Sequence, residues 1–548
     1  MKIYKFFIAI FTLLGVSGCQ LKEDLWGTVT PSILTTQADL EIMVNGMYGR
    51  LNPFPFKQGI YTLVTTDDCH YVNAQTTLEI MVGERSYTPS LARLATFWES
   101  LYKVINAANV YIETAKGLSG NVDEAYINRT VGDALFLRAT MYFYMVRLFG
   151  GVPLLTESFS LESGRYKPRT SVDSVYYQVF KDYEDASKHL PLNSSSISRG
   201  RATKGAAQGM LASAYLTYAN YLDLNNKANK NDYYQLAKSY ADSVIQSGVY
   251  SLVDNYADLW DVSKEANNYQ KEVIYGIQYT RDPNNNSESS LGSRFSRDYS
   301  PANSGFTATT TGWFRVQPYF IDIYSTGEYV NDYRVETSFA TTWTNVNNGN
   351  TLVGYPKTVN TGQVAHPAPY LLKFKDPNGL PFNNENDMYI LRLSEMYMIY
   401  AEAENELNGP TAVAYNAFNK LRERARKANG TARTAPANLA TGLDKEDFRM
   451  AVFKERGLEF VGEDRKRFFD LLRMKSPTGD PMYMYQVNVF LPTITAGDPT
   501  WNAAQKKWLG GRKNNNPFKL FTEKNLLMPI PQSELNANPY FGDQNPGW

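Results

Sequence analysis

The chain has 548 residues, which is enough for a large core built as one domain or as two or three interleaved ones. Lysine plus arginine and aspartate plus glutamate number 55 each, so the formal net charge at pH 7 is zero. A neutral chain provides no basic field for nucleic acid, and we therefore expect no nucleic-acid partner.

The first 18 residues have the pattern of a secretory signal peptide. Lys2 and Lys5 precede an uncharged, largely apolar stretch that is too short to cross a bilayer as a helix. The stretch ends in Val16-Ser17-Gly18-Cys19, which resembles the lipobox of bacterial lipoproteins, although leucine is commoner than valine at its first position. That resemblance implies cleavage before Cys19 and acylation of Cys19 with lipid chains such as palmitate. The alternative is an ordinary signal peptide with an incidental cysteine.

Residues 19–35 are interpreted as a lipidated tether. Cys19 and Cys69 are the two cysteines of the chain. Because the predicted acylation uses Cys19, Cys69 has no cysteine to pair with, and we expect no intramolecular disulfide. The rest of the sequence has no second apolar run of spanning length, and we expect the lipid alone to hold the protein at a membrane.

Residues 36–270 are predicted to form an N-terminal helical region built from helix pairs. Trp98 and Leu101 open an amphipathic segment, and their spacing favours helix packing over sugar stacking for Trp98. Small residues crowd positions 205–214, where they permit close approach of a neighbouring helix. Paired helices of this kind are similar to tetratricopeptide repeats, although the period is irregular.

Residues 271–548 are predicted to form a C-terminal region with a loop-rich insert at about 281–370. Alternation over residues 273–279 indicates a strand. Apolar positions from Tyr389 to Leu407 indicate a helix that ends at Gly409, with Pro410 in the first turn of the next helix. The proline-rich residues 526–548 are expected to cross the helices as an extended strap.

Several blocks, in order along nearly the whole chain, resemble those of the SusD/RagB family of nutrient-binding outer-membrane lipoproteins. Asp332 and Arg334 close a segment that fits the family's Asp-x-Arg element. The other blocks are WESLYKVINAANVYIE, ALFLRATMYFYMVRLFGGVPLL, RATKGAAQGMLASAYL, LRLSEMYMIYAEAENELNG, FKERGLEFVGEDRKRFFDLLRM and LMPIPQSELNANPYFGDQNPGW.

The resemblance implies a mostly α, SusD-like fold with tetratricopeptide-like helix pairs and a loop-rich ligand-binding part with short strands. It also implies a cell-surface lipoprotein of the outer membrane that captures oligosaccharides. Such a protein acts as a lid on a SusC-type TonB-dependent barrel transporter and passes its ligand to the barrel. Members of the family are generally not enzymes, and we expect no cofactor.

No catalytic or metal-binding motif is evident in the sequence. The three histidines, His70, His189 and His366, lack metal-ligand spacing. Acidic residues cluster in KERGLEFVGEDRKRFFDLLR, but arginines are interleaved with them. Asp470 lies three positions from both Arg467 and Arg473, which favours ion pairs on or between helices over a catalytic carboxylate pair.

Aromatic and polar residues in the loops are the candidates for ligand binding. A sugar ring presents a C–H face that stacks on an aromatic ring, and its hydroxyls need hydrogen-bonding partners. The 39 tyrosines suit such ligands, although most are expected to pack between helices. The candidate residues are Asp68, His70, Tyr71, Arg85, Arg294, Phe295, Tyr299 and Trp313.

Three functions are left open by the sequence. The first is an oligosaccharide-binding lid on a barrel transporter. The second is a peptide-binding lid of the same architecture. The third is a lipid-anchored glycoside hydrolase, because 55 acidic residues leave many possible carboxylate pairs.

Overall fold

The computed structural model describes residues 35–52, 66–71, 87–158, 166–192, 199–282, 284–287, 290–513 and 522–548. The predicted signal peptide, the predicted acylation site Cys19 and nearly all of the predicted tether lie outside these residues, as does Arg85. Within them the molecule is mostly helical with short strands, as the sequence predicts. No helix in this part of the chain is long and apolar enough to span a bilayer.

The α-helices and strands follow one another in an order that places most of the long helices in the first half of the chain. The helices are α1 Gln37–Gly49, α2 Ala92–Gly117, α3 Glu124–Phe149, α4 Val172–His189, α5 Lys204–Leu224, α6 Lys230–Gln246, α7 Glu265–Asn268, α8 Phe295–Tyr299, α9 Pro318–Ser325, α10 Tyr333–Ser338, α11 Leu393–Asn408, α12 Ala412–Ala425, α13 Lys445–Glu459, α14 Lys466–Arg473, α15 Met482–Tyr485 and α16 Gln532–Ala537. The strands are β1 Cys69–Tyr71, β2 Val273–Ile277, β3 Phe314–Val316, β4 Phe339–Ala340, β5 Thr342–Thr344, β6 Thr351–Gly354, β7 Val364–His366, β8 Tyr370–Leu371, β9 Met388–Arg392, β10 Lys427–Ala428, β11 Thr431–Ala432, β12 Gly497–Asn502 and β13 Lys507–Lys513.

Helices α2 to α6 pack as successive neighbours around a shared apolar core. Side-chain caps define the starts of α4 and α5, where Ser171 and Thr203 accept from backbone N–H groups in the first turn. Trp98 is 1% exposed and packs edge-on against Phe149, with ring centroids 4.9 Å apart. The predicted packing role of Trp98 is therefore confirmed.

The small residues of α5 allow close contact with the C-terminal half of the chain. A Cβ atom added to Gly209 would lie 2.5 Å from a methyl carbon of Leu391 and 3.2 Å from the sulfur of Met396. Glycine at this helix-interior position therefore brings α5 against β9 and α11, as the run of small residues predicts.

The predicted helix pair in the C-terminal half is present with two differences. Helix α11 begins at Leu393, because residues 388–392 form strand β9 opposite β2, so Tyr389 lies in a strand and not in the helix as expected. Gly409 follows α11 with a φ of +78°, a conformation that favours glycine. Helix α12 is capped by Thr411, so Pro410 lies in the connection and not in the first turn.

The C-terminal strap, residues 526–548, runs back over the N-terminal helices as predicted, and α16 is its one α-helix. The backbone N–H of Met528 donates to the carbonyl of Leu148 at 2.7 Å. The side-chain amide of Asn545 donates to the carbonyl of Phe149 at 3.0 Å. These bonds satisfy carbonyls at the C-terminal end of α3, which lack partners within the helix.

Five cationic and five anionic side chains form a buried network where α13 meets β9, α10 and α12. Glu459 is at its centre, with a carboxylate oxygen 3.1 Å from Arg392 and the other 3.2 Å from Arg334. Arg424 also donates to Glu459, and these cations hold the pKa of Glu459 far below its usual range despite burial. The network comprises Arg334, Lys373, Arg392, Arg422, Arg424, Glu272, Asp332, Glu455, Glu459 and Glu463.

The acidic cluster of α13 and α14 is paired, as the sequence predicts, but its ion pairs are buried. Asp470 accepts from Arg456 and from Arg473, each at 2.7 Å. Arg467 does not pair with Asp470; its guanidinium binds both carboxylate oxygens of Asp67 at 2.6 Å. That partner is 400 residues away and could not be found from local spacing.

Glu265 and Asp387 form a second buried acidic site, linked by a bond from the Asp387 N–H to Glu265 at 2.9 Å. Burial and the adjacent Asp387 carboxylate raise the pKa of Glu265 to about 9. Burial raises the pKa of Asp387 to about 7. The folded pair therefore holds protons that the unfolded chain releases above a pH of about 4.

We expect this pair to make stability fall as the pH rises. Its contribution is fully present below the ordinary carboxyl pKa and is lost as the pH passes through about 7 to about 9. The Asp387→Asn variant should therefore unfold at a higher temperature than the unmodified protein at pH 9 and show a flatter profile between pH 5 and pH 9. Thermal unfolding followed by circular dichroism measures this. Asp254→Asn, at a largely exposed carboxylate, is the control, and parallel profiles for all three proteins would contradict the expectation.

Candidate functional site

The loop-rich part of the chain is organised by the pairing of two short strands. In the antiparallel pair β1 and β3, His70 lies opposite Arg315 and Tyr71 lies opposite Phe314. Because side chains alternate across a strand, His70 and Arg315 share one face while Phe314 and Val316 enter the core on the other. Trp313 immediately precedes β3 and is partly exposed.

Two arginines from the α8 segment lie over the ring of Trp313. The guanidinium carbon of Arg297 is 4.7 Å from the Trp313 ring centroid and 4.2 Å from that of Phe382. Arg294 is 5.5 Å from the Trp313 ring. Asp298, which is fully buried, accepts from the Nε–H of Arg294 at 2.5 Å. The partly exposed ring of Trp313 therefore lies beside arginine N–H donors, and the buried Asp298 fixes the orientation of Arg294.

A close backbone approach places Phe382 in this group. The backbones of Ser293 and Asn384 exchange hydrogen bonds of 2.7 and 2.8 Å. A Cβ atom on Gly292 would lie 2.5 Å from the Cα atom of Asn383, so glycine is required there for the two segments to meet. Phe382 was not among the predicted site residues, because nothing in its sequence surroundings indicates this contact.

Phe295 and Tyr299 lie beneath the surface and not on it. Both side chains are 0% exposed. The ring of Phe295 packs edge-on against Tyr279 at 5.5 Å, and that of Tyr299 stacks on Phe374 at 5.1 Å. These two predicted ligand residues therefore anchor α8 to the core, and neither ring is accessible to a ligand in this structure.

Asp68 and His70 are also buried. Thr66 donates to the Asp68 carboxylate, and burial together with the Asp67 charge raises the pKa of Asp68 to about 6. Burial and the neighbouring Arg315 lower the pKa of His70 to about 3, so its ring is neutral at physiological pH. Of these predicted ligand residues, Trp313 is partly exposed and contacts Arg294, while Arg294 itself, Asp68, His70, Phe295 and Tyr299 are buried.

Arg315 links this surface to a second aromatic group. Its Nε–H donates to the hydroxyl of Tyr370 at 3.1 Å. The Tyr370 ring packs edge-on against Trp343 at 5.5 Å and beside His366 at 5.4 Å. Arg315 is not among the residues predicted from the sequence, although its position two residues after Trp313 in a region of loops and short strands is compatible with both on one face.

The acids of the buried network and of the Glu265–Asp387 pair lie in the interior of the described part of the chain. The acids of the buried network are paired with arginine or lysine, and Glu265 and Asp387 lie together in the interior. In the same ranges no group of three or more histidine, cysteine, aspartate or glutamate side chains is arranged to hold a metal ion.

A sequence profile described as the SusD family matches residues 271–548, just over half of the chain. The chain belongs to the SusD family. A second profile, described as starch-binding and associating with the outer membrane, matches residues 26–216. Between them, the two SusD-type profiles include every predicted ligand residue: those from Asp68 to Arg85 fall in the N-terminal match and those from Arg294 to Trp313 in the C-terminal one.

One relative of this SusD-family chain aligns with it over its whole length, and solved structures of similar fold cover most of it. The SusD-like protein P2 of Formosa agariphila is 28% identical over 568 aligned positions that cover 100% of both chains. The crystal structure of a SusD homolog from Bacteroides thetaiotaomicron superposes with a TM-score of 0.76 at 22% identity, covering 93% of this chain and 97% of that one. A structure described as a laminarin-binding SusD-like protein gives a TM-score of 0.68 at 21% identity, covering 94% and 100%. The SusD-like fold predicted from the sequence is confirmed.

Proposed function

We propose that this protein binds an oligosaccharide at the loop-rich surface around Trp313 and delivers it to a SusC-type TonB-dependent barrel in the outer membrane. The observation that carries the proposal is the partly exposed Trp313 ring beside the guanidinium groups of Arg294 and Arg297. The laminarin-binding relative and the starch-binding family description support a glycan as the ligand class.

The geometry suits capture of a sugar without bond cleavage. The exposed part of the Trp313 ring can cover the C–H patch of a sugar ring, while the partly exposed Arg297 donates N–H groups to hydroxyl oxygens. Asp298 below and the Phe382 ring alongside hold the arginines in place, so little side-chain freedom is lost on binding. The predicted contacts through Tyr71 and Arg85 remain part of the proposal.

Acylation of Cys19 is proposed to keep the protein on the outer surface of the outer membrane. Several acyl chains on one residue give stable anchoring, since each buried CH₂ contributes about 0.8 kcal/mol. Tethering beside the barrel raises the effective concentration of the lid and shortens the search for its partner. The tether and the lid architecture together account for delivery without any catalytic step.

Binding of a glycan panel by the purified protein tests the proposal. We expect isothermal calorimetry to detect at least one oligosaccharide, with no new reducing ends after prolonged incubation. A C-terminal affinity tag on the membrane-bound protein should also retain a barrel transporter.

Two results would replace the proposal with one of its alternatives. Binding of a peptide mixture with no response to any glycan would indicate a peptide-binding lid. Sustained release of reducing ends that stops when one acidic residue is replaced would indicate a glycoside hydrolase.

A further inference from the structure

Arg315 carries a positive charge that no carboxylate neutralises in the described part of the chain. Among the described residues its guanidinium has one hydrogen bond, to the Tyr370 hydroxyl, and no acidic oxygen of those residues lies within 4.0 Å of it. The other arginines of the loop-rich part have acidic neighbours: Arg294 pairs with Asp298, and Arg334 with Asp332. Arg315 is only partly exposed, so its charge is not fully solvated either.

The groups that face Arg315 cannot supply the missing negative charge. His70, directly opposite on β1, is 2% exposed, and neither of its ring nitrogens has a hydrogen-bond partner. His366 is also close, since Arg315 contributes to lowering the pKa of His366 to about 4. Both imidazoles are therefore neutral near pH 7, as is the Tyr370 hydroxyl. The guanidinium is the one ionised group in this set.

Further cationic side chains lie in the same part of the chain. Arg294 and Arg297 lie over the Trp313 ring, 5.5 and 4.7 Å from its centroid, and their nitrogens are 2.5 and 3.7 Å from the Asp298 carboxylate. Lys375 extends over the ring of Phe306 in the adjoining loop, 5.0 Å from its centroid. Arg315 differs from Arg294 and Arg297 because no described carboxylate is close to it.

The spacing of Trp313 and Arg315 fits two points of contact on one ligand. Residues two apart along an extended strand are about 6.6 Å apart and project from the same face. A sugar stacked on the tryptophan would therefore bring a substituent of that sugar or of the next one to the guanidinium. Guanidinium pairs with carboxylate and sulfate oxygens in a two-pronged geometry that neutral hydroxyls do not match.

We propose that the oligosaccharide taken by this site is acidic, with an anionic substituent bound by Arg315 while a sugar ring stacks on Trp313. The substituent is a uronate carboxylate or a sulfate ester, which share the anionic oxygen chemistry that a guanidinium recognises. This inference rests on the proposed function, because it specifies the class of glycan for the same site.

The test uses the purified full chain on an array of neutral, uronate-bearing and sulfated polysaccharides. Galacturonan with its carboxyl-reduced form and dextran sulfate with dextran serve as matched pairs that distinguish the two substituents. We expect the strongest ligand on the array to be acidic. Its affinity should fall about 10- to 100-fold when its charge is removed chemically, and by a similar factor in the Arg315→Gln variant.

Three further measurements separate a ligand contact from a structural role of Arg315. Arg315→Lys should restore part of the affinity, because the charge returns without the two-pronged geometry. Affinity for the acidic ligand should weaken with added salt in the unmodified protein and much less so in Arg315→Gln. Arg433→Gln, at a partly exposed arginine that pairs with Glu336, is the control and should bind normally. Unfolding temperatures of all variants confirm that they are folded.

The outcomes also separate this inference from the proposed function. A strongest ligand that is neutral, or an acidic ligand bound equally well by Arg315→Gln, overturns the inference and leaves glycan binding standing. Selective binding of acidic peptides overturns the inference and the glycan assignment. Failure to bind any polysaccharide overturns both.

Discussion

Replacement of Glu459 by glutamine is expected to destabilise the protein by about 3–5 kcal/mol, a large effect for a single conservative change. The glutamine side chain has nearly the same shape as glutamate, so the loss comes from the charge. Arg334, Arg392 and Arg424 all donate to the Glu459 carboxylate in the interior. Without it, the network would hold an excess of buried positive charge.

Chemical denaturation measures this effect through the shift of the unfolding midpoint at constant slope. Glu423→Gln is the matched control, because Glu423 pairs with Lys420 on the surface of α12, where both side chains are more than 40% exposed. Surface pairs of this type contribute about 0–1 kcal/mol. Equal midpoints for the two variants would show that the buried network does not depend on Glu459.

Substitution of Trp313 by alanine is expected to weaken glycan binding by about 30-fold or more while the fold is kept. Truncation of a central aromatic contact typically costs about 2 kcal/mol or more of binding free energy. Arg294 and Arg297 also lie over the Trp313 ring, so its loss would remove one of the contacts that position the two guanidinium groups. Calorimetric titration with the best ligand of the glycan panel gives the change in affinity.

Two companion variants make this result specific. Trp313→Phe keeps an aromatic face and should retain much of the affinity. Trp508 is also partly exposed but lies on the β12–β13 hairpin, where it packs edge-on against Trp501 and donates to the carbonyl of Lys357. Trp508→Ala should bind glycan like the unmodified protein. If Trp313→Ala kept full affinity, the ligand would have to bind elsewhere.

The helical part of the fold could be predicted well because its signals are local. Apolar spacing located α2 to α6 and the α11–α12 pair, and prolines located the C-terminal strap. The error at Tyr389 has a physical cause: residues 388–392 are all buried, so strand β9 has no polar alternation to distinguish it from the first turn of the helix it precedes.

The ion pairs show where local spacing stops being informative. Their existence could be predicted from interleaved charges, but their burial could not. Arg467 pairs with Asp67, 400 residues away, and Arg392 with Glu272, 120 residues away. Such partners become neighbours only through the tertiary fold. The charge pattern of α14 considered alone therefore predicts ion pairs on the helix surface and not the buried pairs that are present.

The sequence could indicate a loop region for the candidate site, but it could not indicate which side chains of that region are exposed. Trp313 is partly exposed, whereas α8 buries Arg294, Phe295 and Tyr299. A five-residue helix in a polar loop gives no periodic signal of which face is buried. Arg297 and Phe382 join the site through a backbone approach at Gly292 that only the structure shows.

The C-terminal strap joins residues that are far apart in the order of synthesis. The carbonyl of Leu148 accepts from the N–H of Met528, and that of Phe149 accepts from the side-chain amide of Asn545 as well as from Arg169. A ribosome adds Met528 and Asn545 nearly 400 positions after the end of α3. These contacts of the strap can therefore form only when translation of the chain is almost complete.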